Sequence, residues 1–130
     1  MGGLPHRKLC IFAPSCLDAL SLFPQEVKDQ IGFGLHMAQL GEKHPSAKPL
    51  KGHPEFRGAA VMEIVADFDG DTYRGVYTVK LAGVVYALDV FQKKSRSGVS
   101  TAQSDINRIK TRLHWAREHH EKTFGTAKKK

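Results

Sequence analysis

Residues 59–92 fall into three runs in which two sets of side chains alternate. In 59–68, Ala60, Met62, Ile64, Ala66 and Phe68 alternate with Val61, Glu63, Val65 and Asp67. In 72–81, Tyr73, Gly75, Tyr77, Val79 and Leu81 alternate with Thr72, Arg74, Val76, Thr78 and Lys80, and in 84–92 Val84, Tyr86, Leu88 and Val90 alternate with Val85, Ala87, Asp89 and Phe91. Asp69-Gly70-Asp71 and Ala82-Gly83 separate the runs. A period of two broken by such short turns specifies a three-stranded antiparallel meander. Helices must cover one face of it, burying Met62, Ile64, Tyr77, Val79, Tyr86 and Leu88. The other face then carries Glu63, Arg74, Asp89 and Phe91 and is expected to lie half open.

The flanking segments supply the helices. Residues 7–13 read as an N-terminal strand, and Ser15 is placed to cap a short helix over 16–22. Pro24 suits the first turn of a longer helix. Its apolar positions are Val27, Ile31, Leu35 and Ala38, with a second stripe at Phe33, Met37 and Leu40, and Gly41 stops it. Gly32 and Gly34 inside it each cost about 1 kcal/mol relative to Ala. Residues 42–58, with three prolines and two glycines, read as a long loop, and 93–100 as a basic loop. Thr101 is placed to cap a last helix over about 102–122, whose apolar face is Ile106, Ile109, Leu113 and Ala116. Trp115 lies off that stripe and is expected beneath the N-terminal strand. The order gives an α+β domain: one antiparallel sheet, N-terminal strand plus meander, with helices on one face. The 130 residues fit one domain over 1–122, followed by a basic disordered tail over 123–130.

Charge narrows the partners. The formal net charge is +7, and the excess is uneven: residues 66–130 carry 13 basic and 7 acidic side chains, against 7 and 6 in residues 1–65. A basic half points to a polyanion, nucleic acid first. Cys10 and Cys16 are spaced too widely for a zinc knuckle, and adjacent His119 and His120 point in different directions on a helix. No metal and no cofactor is expected. No apolar run is long enough to span a bilayer, so the expected location is the cytoplasm, with no membrane partner and two reduced thiols.

Four stretches carry a family resemblance: AQLGEKHPSAKPLKG (38–52), MEIVADFDGDTYRGVYTV (62–79), VVYALDVFQKKSRSGVST (84–101) and DINRIKTRL (105–113). They resemble the RelE/ParE toxin superfamily, specifically its phage-derived, HigB-like subfamily. The resemblance covers about residues 24–113, and YR-x-VY followed by FQKKS is its most specific part. It implies a RelE-like α+β fold and the toxin of a type II toxin–antitoxin pair, partnered by a cognate helix-turn-helix antitoxin. It further implies metal-independent, ribosome-dependent cleavage of mRNA. Two other readings stay open: a non-enzymatic, ParE-like inhibitor of DNA gyrase, and an inactive phage-derived RNA-binding protein. Oligomeric state is left open.

Metal-free RNA cleavage needs a base for the 2′-hydroxyl, cations for the phosphorane and an acid for the leaving oxygen. By resemblance, Arg74 aligns with the catalytic arginine of RelE-type enzymes, and its fork can hold phosphate through two hydrogen bonds. Its bland alternative is an ion pair with Glu63 or Asp89. Lys93, Lys94 and Arg96 put three cations in four residues, where they repel one another and invite an anion. Asp89 completes the candidate catalytic set. Many relatives carry histidine there, which shuttles protons near neutral pH; a carboxylate with a pKa of about 4 fits that role less well. Lys48, Lys51, His53 and Arg57 form a basic set on the long loop, and Phe91 is a candidate for stacking on a base.

Overall fold

The computed structural model of the chain describes residues 7–93 and 101–125. The expected loop cations Lys94 and Arg96, and the end of the basic tail, lie outside the described residues. The elements are β1 (Leu9–Phe12), α1 (Cys16–Ser21), α2 (Gln25–Gln39), β2 (Ala47–Pro49), α3 (Pro54–Gly58), β3 (Val61–Phe68), β4 (Asp71–Thr78), β5 (Val84–Lys93) and α4 (Gln103–Thr123). The strands form one sheet in the order β1-β5-β4-β3-β2. The class is α+β and the expected meander β3-β4-β5 is antiparallel throughout. Asp69 and Gly70 take φ of 54° and 84°, the left-handed pair that a tight hairpin turn requires.

Four features depart from the sequence reading. First, β1 runs parallel to β5, Leu9 opposite Val84 and Phe12 opposite Ala87, so the sheet is mixed. Six elements, α1, α2, β2, α3, β3 and β4, lie between the two strands, so no tight turn imposes antiparallel pairing on them.

Second, the segment read as a loop over 42–58 contains β2 and α3. Its prolines sit where these elements tolerate them. Pro49 ends an edge strand, and Pro54 occupies the first turn of α3 behind the N-cap His53, whose Nδ1 accepts from Glu55 N–H at 3.1 Å.

Third, β5 carries a bulge. Val76 faces Asp89 and Tyr77 faces Ala87, so Leu88 is the extra residue. Strict alternation fails there. Val84, Tyr86 and Leu88 share one face while Val90 belongs to the other, and Asp89 stays on the face of Leu88.

Fourth, helices cover both faces rather than one. α1 and α2 bury Cys16, Leu20, Val27, Ile31 and Leu35 against Ile64, Tyr73, Tyr77, Val85 and Val90. α3 and α4 bury Phe56, Ile106, Ile109 and Leu113 against Val61, Val76, Tyr86, Leu88 and Phe91. Strand β5, apolar at every position from Val84 to Phe91 except Asp89, has enough apolar surface to require cover on both sides. Val79, expected in the core, lies past the end of β4 and is exposed.

Candidate functional site

The residues expected on a half-open face do share a face, and it is closed. Glu63, Arg74, Asp89 and Phe91 are each less than a tenth exposed. Arg74 stands mid-strand in β4, opposite Val65 of β3 and Phe91 of β5. Its guanidinium donates through Nη1 to Glu63 Oε1 on the neighbouring strand. The pair is buried, and Arg74 Nε, also buried, has no hydrogen-bond partner among the described residues. An arginine can donate five hydrogen bonds in a fixed fork, so this desolvated N–H is a donor that the described residues leave unused.

Two lysines lie on the same face. Lys48 of β2 is directly opposite Glu63, and Lys93 ends β5 opposite Thr72 of β4. Desolvation and then the charge of Arg74 lower the Lys93 ammonium below the ordinary lysine range; Glu63 and Asp105 pull the other way, and Lys48 lowers it further. Of the four cations that the sequence offers as phosphate-facing, Arg74, Lys93, Lys94 and Arg96, the first two are thus brought within electrostatic reach. Lys94 and Arg96 are outside the described residues. The result is a cationic centre built around one acid, Glu63, on rigid strands.

Asp89 does different work. It is buried at the bulge, and both its oxygens are taken: Oδ2 accepts from Arg108 Nε at 2.9 Å and Oδ1 from Arg112 Nη1 at 2.7 Å. Arg112 also donates to Leu88 O, and Arg108 to Asp105. Burial pushes the Asp89 carboxyl up, against the pull of these two guanidiniums. The arrangement ties α4 to β5. Phe91, expected to stack on a base, is instead covered, with the Arg108 guanidinium carbon 6.0 Å from its ring centre. In the sequence Arg108 and Arg112 look like decoration on the polar side of the last helix. A buried acid inside an apolar strand, and two arginines four residues apart on one helix face, are the signals that point to their role.

The long-loop set divides. Lys48 joins Glu63 on the sheet, whereas Lys51, His53 and Arg57 line a separate cleft of about 680 Å³ between α3 and the adjoining ends of β2 and β3. Glu55 of α3 is held by Arg117 (2.7 Å) and His114 (3.0 Å) of α4. The Arg117 hydrogen bond is the main reason its carboxyl lies below the usual range. On the far half of α4, Trp115 stacks on His119, and Tyr86 Oη is 2.8 Å from His119 Nδ1. Burial pushes the Cys10 and Cys16 thiols up to about 11 and about 12, which leaves them unreactive near neutral pH. Among the described residues, no three His, Cys, Asp or Glu side chains are grouped to hold a metal ion, and no helix is long and apolar enough to cross a membrane.

No match was found among curated proteins or solved structures. The family comparison does match: residues 18–114, from α1 to the middle of α4, fit the family described as phage derived protein Gp49-like (DUF891). That span includes the whole sheet except β1, together with the Glu63–Arg74 pair, Lys48, Lys93 and the Asp89 anchor. The chain is a member of the phage-derived Gp49-like family.

Proposed function

We infer that this protein is the toxin of a toxin–antitoxin pair and that it cleaves mRNA on the ribosome. The observation that carries the reading is the buried Arg74, paired with Glu63 on one side and keeping an unused N–H, with Lys93 and Lys48 beside it. Membership of a phage-derived family and the basic C-terminal half support it.

In this reading Arg74 and Lys93 stabilise the charge that builds on the phosphorane. Glu63 orients the guanidinium, and its carboxylate serves as the base for the 2′-hydroxyl proton. The ribosome supplies much of the positioning, so a sparse site suffices. Asp89 acts by holding α4 over the sheet rather than by moving protons. The partner is a helix-turn-helix antitoxin whose toxin-binding segment is rich in Asp and Glu, complementing the basic surface.

Inducible expression in bacterial cells tests the reading. Translation should stop within minutes while DNA replication continues. Induction of the DNA-damage response with filamentation, translation continuing, would replace it with gyrase inhibition. Unchanged growth from a folded protein would remove the toxin assignment.

A further inference from the structure

We propose that the cleft between α3 and β2–β3 is a base-recognition pocket, taking one nucleotide of a single-stranded RNA whose backbone runs on to Lys48. The inference rests on the RNA-directed reading above and adds the substrate contact that would set sequence preference.

The cleft, about 680 Å³, has the size of a small-molecule site. Its lining is largely apolar, with Pro49 and Pro54 exposed, Met62 half-buried and Phe56 fully buried. The His53 ring sits 5.6 Å from the Phe56 ring. Because His53 Nδ1 accepts from Glu55 N–H, the neutral ring carries its proton on Nε2, a donor. Lys51 and Arg57 are exposed cations of the lining, and among the described residues no carboxylate lines it, since Glu55 is turned onto α4 by Arg117 and His114. An apolar slot with a polar ring edge and two cations matches a planar heterocycle carrying a phosphate.

Position links this slot to the Arg74 centre. Val61 and Met62 of the cleft precede Glu63 on β3, and Leu50 and Lys51 follow Lys48 on the β2 side. Val61 and Glu63 are about 7 Å apart along the strand, comparable to one step of an extended nucleotide chain. A base in the cleft therefore places a neighbouring phosphate at the exposed Lys48, beside the buried Glu63–Arg74 pair.

The test uses the purified full chain and fluorescence anisotropy with two labelled probes: a tetraribonucleotide and the same tetramer made abasic at one position. Both report phosphate binding; only their ratio reports the pocket. The intact probe should bind roughly tenfold tighter than the abasic one. His53→Asn, which keeps an N-capping side chain, and Arg57→Gln on the surface should each bring the ratio towards one. A ratio that stays at the wild-type value in both folded variants overturns the proposal, as does a wild-type ratio of one. An acidic peptide that displaces both probes from the wild type but not from the variants would assign the cleft to a protein partner instead. The readout requires no cleavage, so a protein that binds as expected but leaves mRNA intact keeps the pocket and loses only the nuclease reading.

Discussion

Arg74 and Glu63 share a buried, low-dielectric position, so removing either leaves the other's charge unpaired. Arg74→Ala is therefore expected to cost about 3–5 kcal/mol of folding free energy. That is a large part of the roughly 5–15 kcal/mol typical of a domain. The double variant Glu63→Ala/Arg74→Ala should lose clearly less than the sum of the singles in urea titrations, and strict additivity would show the pair is uncoupled. Arg74→Lys keeps a charge opposite Glu63 while removing the fork, which makes it the better probe of activity. At Glu55 the expected effect is pH-dependent. Its folded-state carboxyl is lowered, chiefly by Arg117, so its contribution is present above the unfolded carboxylate range and is lost as pH falls through the lower folded value. Glu55→Gln should cost at most about 1 kcal/mol at pH 7, because the group is partly exposed, and nothing at a pH low enough to protonate it. Equal cost at both would contradict the assignment. Sequence period alone put Glu63, Arg74 and Phe91 on one face. It carried no information on what lay above them, because the cover on that face comes from α3, too short to show a period, and from α4, far along the chain.

At the scale of elements, α2 shows what a helix pattern conveys and what it hides. Val27, Ile31, Leu35 and Ala38 are its buried stripe, as their spacing indicates. Gly32 and Gly34, which look equally costly in the sequence, differ in the fold. A Cβ on Gly34 would meet Ile64 at 2.6 Å and one on Gly75 would meet Ile31 at 2.8 Å, whereas one on Gly32 meets nothing within 4 Å. Gly34 and Gly75 let α2 lie close on β3 and β4. Gly32→Ala should stabilise the protein by up to about 1 kcal/mol, and Gly34→Ala and Gly75→Ala should each destabilise it by about 1–3 kcal/mol. Chemical unfolding of the three variants checks the order, and a destabilised Gly32→Ala would contradict it. The second apolar stripe of α2 has another fate: Phe33 and Leu40 are exposed, with Phe33 edge-on to His44. The short elements β2 and α3 were invisible because three and five residues are too few to show a period, and their prolines read as loop punctuation. The bulge at Leu88 was hidden for a related reason. One inserted residue shifts the alternation without changing composition, and only the pairing of Val76 with Asp89 reveals it.

Taken as a whole, the molecule is a mixed sheet between two helical layers, with the basic C-terminal half supplying Arg74, Lys93 and all of α4. The two-sided cover was legible in β5, where an almost unbroken apolar run argues for burial on both faces. The sharp alternation of its neighbours pointed the other way. The parallel pairing of β1 had no local signal, since four apolar residues fit either direction. Neutralising Lys93, Lys94 and Arg96 together should flatten the salt dependence of RNA binding, by roughly 0.7 in slope for each phosphate that is no longer neutralised. An unchanged slope would move the RNA path away from them. The central claim is that Arg74 stabilises charge on a scissile phosphate. Its most direct test is transcript-wide mapping of mRNA 5′ ends in cells expressing the wild type or Arg74→Lys at equal levels, with folding verified by thermal melting. The wild type should create new ends within translated regions, and Arg74→Lys should reduce them by roughly 10²–10³ at a near-normal melting temperature. A folded Arg74→Lys that cuts as well as the wild type, or a toxic wild type that creates no new ends, would contradict the account.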